Sequence, residues 1–516
     1  MELSCTEATL LPSADKLIFN GHIRINSHRV AERILIDQGK VIAIDEDCEQ
    51  YTPTEKEDLY GSVVLPSIHD AHTHLLAGSF VMERLLLVGV GSVGNLEQKL
   101  ARYAQENPDE PWIIGFGWLY TQLSDASGVS LDAIVSNRPI ALFDSSGHNL
   151  LVNSAALALA NIDESTPDPD GGTIVRDENG LPTGLLKEAA IELISPLMLQ
   201  AYDNEAFLSP LRSKLREFSE MGIGGISEIL AVPGVSLARP ELFAQLEEEG
   251  NLPLRVLYHM PVFNLSDLDS IAQREHYHQN RLRFGGIKVW VDGSTSSASS
   301  WSLEASVEDP HDFGSHYWTE EELGLIVQRA EQEGFSVKYH ANGDAAVQAV
   351  LNAIENYGGI LEQSHIIEHV ALLDIPDYAR ISDLGICASI QSGIASMGRF
   401  SNQADAWGEE RLAMAWDFSA LESAGIKTLL GTDWPVWPTV DPIINAWTAN
   451  AGVSHPISTA YTWGSYTDHV SRCIQESISC LDIGCSGDRT YMTADPYEES
   501  SDQWGDIGIQ KVILED

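Results

Sequence analysis

From residue 63 onward the chain repeats one unit, an apolar run of strand length followed by a stretch with helical spacing. The runs fall at 63–74, 222–229, 254–260, 282–291, 335–341, 365–370, 386–391 and 428–433. Eight such runs alternating with helices predict an α/β fold, a (β/α)8 TIM-type barrel. The helix after the fifth run shows its period clearly. Val347, Val350, Leu351 and Ile354 share one face, with Asp344 near the start and Gly358-Gly359 past the end.

Residues 14–62 read differently, as short β-rich runs (16–19, 33–36, 41–44) separated by polar turns. They predict a small β-sandwich. The tail returns to β-type runs from about Cys480 and ends in Gln510-Lys511-Val512-Ile513-Leu514, which is expected to pair with the N-terminal part. The expected division is therefore 1–62 with 474–516 as a composite sandwich, and 63–473 as the barrel. About 140 residues separate the first and second runs, far more than a crossover helix requires. Residues 111–200 are read as a subdomain inserted over the barrel mouth, where substrate would enter.

Composition excludes some partners. The chain has 516 residues, 76 acidic against 30 basic, for a net charge of −46. Such a field repels nucleic acid and anionic membranes. No stretch approaches the roughly 20 apolar residues that span a bilayer. The N-terminus, Met1-Glu2-Leu3-Ser4-Cys5-Thr6-Glu7, lacks the basic and apolar regions of a secretory signal, so a cytoplasmic location is expected. Six scattered cysteines (Cys5, Cys48, Cys387, Cys473, Cys480, Cys485), with no Cys-x-x-Cys, read as reduced thiols. The carboxylate-rich surface suits either simple solubility or a salty interior. The expected partners are a small-molecule substrate and, at most, a second copy of the chain.

The chemistry sits at the ends of the runs. Lys288 lies in Gly286-Ile287-Lys288-Val289-Trp290-Val291, followed by Asp292-Gly293-Ser294, although the chain has only ten lysines. Burying an ammonium in such a strand is costly. His72 and His74 end the first run, and strand alternation points both the same way. His340, His369 and Asp433 end the fifth, sixth and eighth. In a barrel these positions converge on one pocket. A neutral Lys288 amine that captures CO₂ becomes a carbamate able to bridge two divalent metals; imidazole and carboxylate suit zinc and its neighbours. Two such metals would acidify a shared water, with Asp433 as the proton carrier. The alternative is one metal on the histidines, with unmodified Lys288 binding a substrate carboxylate.

With these residues in view, the sequence resembles the amidohydrolase superfamily, specifically the YtcJ-like amidohydrolase family 3 branch that includes N-substituted formamide deformylase. The matching stretches begin with Val64-Leu65-Pro66, Asp70-Ala71-His72-Thr73-His74, Trp112 through Trp118, and Val152-Asn153-Ser154-Ala155-Ala156-Leu157. Thr166-Pro167-Asp168-Pro169-Asp170-Gly171-Gly172, Pro182-Thr183-Gly184 and Lys288 to Ser294 follow. The last are His340-Ala341-Asn342-Gly343-Asp344-Ala345-Ala346, Ile367-Glu368-His369 and Gly431-Thr432-Asp433-Trp434-Pro435. The resemblance implies metal-dependent hydrolysis, usually of C–N bonds. It also implies His72 and His74 on one metal, His340 and His369 on the other, carboxylated Lys288 between them and Asp433 at the reaction centre. An ester or lactone hydrolase on the same site, or a barrel that binds without turnover, are the competing readings.

The departures concern the substrate wall. The chain has Pro66-Ser67-Ile68-His69-Asp70 where members often have Pro-Gly-Phe-x-Asp, Leu119 where an Asp is common, and Ala298 where an Arg is frequent. Gln391-Ser392-Gly393-Ile394 and Gly484-Cys485-Ser486-Gly487-Asp488 also differ from the usual pattern. His148, Trp118, Asp292 and Trp434 are the expected substrate contacts. His69 is read as structural, Asp344 as a helix-start residue, and Glu368 as a partner for an imidazole, though a strand would point it away from His369.

Overall fold

The computed structural model describes residues 11–119, 131–169, 171–295, 299–307, 309–358, 364–397, 407–474 and 477–515. Its centre is an eight-stranded parallel sheet. In chain order the strands are Ile68–Thr73, Ile223–Ile229, Arg255–Val262, Leu282–Trp290, Val337–Ala341, Ile366–His369, Cys387–Ile390 and Thr428–Leu430. Each expected run carries one of them, so the TIM-type barrel holds. The fifth-strand helix, Asp344–Tyr357, buries Val347, Val350, Leu351 and Ile354 together.

The first run is two strands in two sheets. Val63–Pro66 pairs with Arg489–Met492 of the tail and with the long N-terminal strand Ser13–Asn26, and only Ile68–Thr73 enters the barrel. The N-terminal strands Arg29–Asp37, Lys40–Ile44 and Thr52–Asp58 and the C-terminal Ile509–Ile513 complete one seven-stranded sheet from both ends of the chain.

First and eighth barrel strands close the ring at the residues that carry chemistry. Asp433 N–H donates to His72 O (2.7 Å) and His74 N–H to Trp434 O (2.9 Å). The Asp70 carboxylate accepts from Thr432 N–H (3.0 Å) and Thr432 Oγ1 (2.7 Å). A Cβ on Gly431 would come within 2.6 Å of His72 Cβ, so glycine is what lets the two strands approach there.

Between the first and second barrel strands stands a six-stranded sheet of Leu85–Leu86, Ile113–Trp118, Ile140–Asp144, Asn149–Val152, Pro182–Glu188 and Gly172–Arg176. Its first strand precedes residue 111. Alternation divides its two faces: Ile113, Ile140, Leu142, Leu151 and Leu185 form a separate small core, while Ile114, Phe116, Ala141, Phe143 and Leu186 join the main core.

The expectation of six reduced thiols is corrected. Cys387 is bonded to Cys473 and Cys480 to Cys485, while Cys48 is free and buried. Cys5 lies outside the described residues. The first bridge joins residues 86 apart in sequence, a proximity that only the fold creates. Among the described residues no helix is long and apolar enough to cross a membrane.

Candidate metal centre

His72, His74, Lys288, His340, His369 and Asp433 come together at the C-terminal rim, all of them within a few residues of a strand end. All are buried except His369, which is nearly so. The ring centroids of His72 and His74 are 5.2 Å apart, those of His72 and His369 5.3 Å, and those of His340 and His369 4.4 Å. His369 and Asp433 hold positive φ angles of 75° and 56°. Non-glycine residues adopt that region at a cost, and such strain gathers at working sites.

The tautomers follow from the partners. His72 Nδ1–H donates to Glu368 Oε2 (2.7 Å), and His74 Nδ1–H to the carbonyl of Ala231 (2.5 Å). Each neutral ring therefore presents a lone pair at Nε2. The two Nε2 atoms are 3.4 Å apart, and Asp433 Oδ1 lies 3.4 Å from one and 3.0 Å from the other. Three acceptor atoms facing one another repel unless a cation lies between them. Donors around a cation bound at about 2.0–2.1 Å sit roughly 3.0–3.4 Å apart, so the set fits a divalent ion.

A second pair stands beside it. His340 Nε2 lies 2.9 Å from Asn342 Nδ2, which also donates to the carbonyl of Gly293 (3.0 Å), and 3.3 Å from that carbonyl itself. His340 and His369 supply two nitrogens, and a second cation there would need oxygens from Lys288. Lys288 Nζ is buried with no hydrogen-bond partner among the described residues, and burial, the largest cause, lowers its pKa to about 8. An orphaned amine that is readily neutral is the form that takes up CO₂.

The supporting layer was only partly visible in sequence. Glu368 is fully buried, and Lys338 Nζ donates to its Oε1 (2.7 Å) and to Ala71 O (2.8 Å). Burial alone would raise the Glu368 pKa, but His72 and Lys338 outweigh it, and the carboxyl is held well below its usual range. Burial raises the Asp433 carboxyl, and protons on His72, His74 and His369, in place of a cation, would outweigh it and hold that carboxyl low. Lys338 could have been found, because it lies two residues before His340 and shares its face of the strand. Glu228 was missed too. Its carboxylate accepts from Leu75 N–H (2.7 Å) and Leu76 N–H (2.9 Å), fixing the helix Leu75–Met82 that begins after His74. His69, read as structural, bonds Ser227 Oγ through Nε2 (3.0 Å) inside the barrel.

A cavity of about 740 Å³, counting its open mouth, leads to these residues. His74, Lys288, His340, His369 and Asp433 line one end, and Phe80, Phe116, Phe143, Met198 and Val232 much of the rest. His148 lines it as well, from the inserted sheet. Its Nδ1 is 2.6 Å from Glu188 Oε2, a residue sequence reading did not find. Burial pulls the His148 pKa down and Glu188 more than offsets this, so the net shift is upward.

Three expected substrate contacts are not brought to the cavity. Strand alternation would put Trp118 beside Phe116, but a register shift there, with Gly117 at φ 102°, turns it into the small core, where Nε1 donates to Leu142 O (2.9 Å). The Trp434 ring packs edge-on to Phe218 at 5.9 Å, leaving Pro435 and Val436 to face the cavity. Asp292 sits behind His340, its carboxylate accepting from the backbone N–H of Trp301, Asn342 and Gly343 at 2.8–3.0 Å. Ala298 lies outside the described residues.

Residues 55–462 match a family model described as "Amidohydrolase family". YtcJ of Bacillus subtilis (strain 168) is 29% identical over 485 residues, covering 89% of each chain. N-substituted formamide deformylase of Arthrobacter pascens is 26% identical over 471 residues, 85% of this chain and 83% of its own. Among solved structures, an uncharacterized metal-dependent hydrolase from Pyrococcus horikoshii OT3 superposes with a TM-score of 0.73 at 23% identity, covering 94% of this chain and 99% of its own.

Proposed function

The chain belongs to the amidohydrolase family, and from that premise we propose that it is a metal-dependent hydrolase cleaving an amide or other non-peptide C–N bond of a small molecule. The observation that carries the proposal is the convergence of His72 Nε2, His74 Nε2 and Asp433 Oδ1, three acceptors within 3.0–3.4 Å of one another. We infer two divalent cations, zinc the first choice, held by His72, His74, His340, His369 and Asp433 and bridged by Lys288 carboxylated at Nζ. When bound, such ions acidify a shared water toward neutral pH and polarise a carbonyl oxygen.

The protein's own residues supply the rest. Asp433, facing His72 Nε2 and His74 Nε2 across the site, is available to take the water's proton. It then passes that proton to the leaving nitrogen, so that one water and one amide give an acid and an amine. Glu368 and Ala231 hold the two imidazoles in the tautomer the site requires. The apolar wall excludes bulk water and favours a small, partly apolar N-acyl or N-formyl compound over a strongly anionic one.

The test is hydrolysis by metal-reconstituted protein across N-acyl amino acids, N-substituted formamides, cyclic amides, esters and lactones. Asp433→Ala is expected to lower turnover by at least about 10²-fold while leaving most of the metal bound. Turnover of esters and lactones alone would move the assignment to those bonds. No turnover of any class by metal-loaded protein would favour a binding role.

A further inference from the structure

The inserted sheet carries a buried pair, His148 and Glu188, that the donor set does not use. His148 sits on a turn fixed by Asp144, whose carboxylate accepts from Ser146 Oγ (2.7 Å), Asn149 N–H (3.1 Å) and Asn149 Nδ2 (3.0 Å). Glu188 ends the neighbouring strand with φ 52°, and its N–H donates to His148 O (3.0 Å). Its carboxylate is held at both oxygens, Oε2 by His148 Nδ1–H (2.6 Å) and Oε1 by Ser299 Oγ (3.2 Å). The ring is thereby fixed 5.4 Å from that of His340, on the wall of the metal cavity. Nε2 of His148 makes no hydrogen bond among the described residues.

A histidine that served packing alone would not need a buried carboxylate on one nitrogen and an open cavity for the other. Around it the insertion's wall is apolar, with Phe116 and Phe143 from the same sheet and Ser146 from the same turn. Glu188 does not line this cavity; it lines two others behind the ring, of about 850 and 1150 Å³. The hydrogen bond to His148 Nδ1 is the contact by which Glu188 reaches the lining of the metal cavity.

We propose that His148 contacts substrate, its Nε2 hydrogen-bonding the polar group at the scissile bond, and that Glu188 is its positioning residue. The inserted sheet thus completes the site, placing an apolar recess for an uncharged substituent beside that contact. This rests on the hydrolase reading above.

The probe is benzohydroxamic acid, an aryl acyl compound that is uncharged in neutral solution and has a metal-binding end, titrated calorimetrically into zinc-loaded full-length protein. His148→Ala is expected to weaken binding about tenfold, the loss of one hydrogen bond. His148→Gln, which keeps a hydrogen-bonding end group, should recover part of that loss. Glu188→Gln should weaken binding severalfold and move the Nδ1–H resonance of His148, identified by its absence from His148→Ala. Glu192→Gln, a charge change nearby without contact to the ring, should do neither. Zinc content should be unchanged throughout, and each variant, although less stable for the loss of a buried partner, should remain folded at the titration temperature by circular dichroism. Wild-type protein that holds no metal and binds no hydroxamate would overturn the parent reading, and this inference with it. Wild-type binding matched by His148→Ala and Glu188→Gln would overturn the pair alone.

Discussion

Glu368 shows how much of this site depends on a residue that is not itself a ligand. It is buried between Lys338 Nζ and His72 Nδ1, and removing one partner of a buried ion pair is far costlier than the pair is stabilising. Glu368→Gln keeps an acceptor for His72 but leaves the Lys338 ammonium uncompensated. It should lower unfolding free energy by about 3–5 kcal/mol, read from urea melts. A loss within about 0.5 kcal/mol, the scale of an ordinary surface change, would mean that Lys338 finds another partner or is neutral. The convergence of these residues at the rim was legible because each one ends or interrupts a strand-length run with a group that is costly to bury. Glu368, 296 residues from His72, and Glu188, 40 from His148, were not paired on sequence, because the first pair meets between the sixth and first strands of the barrel and the second between paired strands of the inserted sheet. Trp118 was misread because one register shift at Gly117 reverses which face a side chain takes.

Strands and helices were the most legible level, since a buried parallel strand is apolar along its whole length and its helix has a different period. What failed was a boundary. Val63 to Thr73 reads as one run, yet Val63–Pro66 and Ile68–Thr73 serve different sheets, and nothing apolar or polar at Ser67 marks the change. The sixth strand makes a testable pH statement. His365, just before it, accepts a hydrogen bond from Val337 N–H at Nδ1 (3.2 Å), and burial lowers its pKa from 6.5 to about 4. Between those values the unfolded chain binds a proton that the folded chain does not, so stability falls as pH drops from 6.5 toward 4 and is lost no further below it. The contribution is on the order of 3 kcal/mol. In urea melts of metal-free protein at fixed high salt, the midpoint should fall more between pH 7.5 and 5 for wild type than for His365→Gln. Equal falls would show that His365 titrates normally.

At the scale of the whole molecule, charge dominates. With 76 carboxylates against 30 lysines and arginines, like-charge repulsion across the surface opposes folding, and monovalent salt screens it. The melting temperature should therefore rise from low to molar salt; a flat profile would contradict salt adaptation and leave the chemistry untouched. The Cys387–Cys473 disulfide belongs to this scale as well, because the fold alone brings together residues 86 apart in sequence. On the proposed function, this rim holds two divalent cations bridged by carboxylated Lys288. The most direct measurement is a crystal structure of metal-loaded protein with anomalous data at the metal's absorption edge. Two anomalous peaks are predicted, one beside His72 and His74 and one beside His340 and His369, with continuous density for a carboxylate on Lys288 Nζ between them. A single peak with an unmodified Lys288, or none, would contradict it.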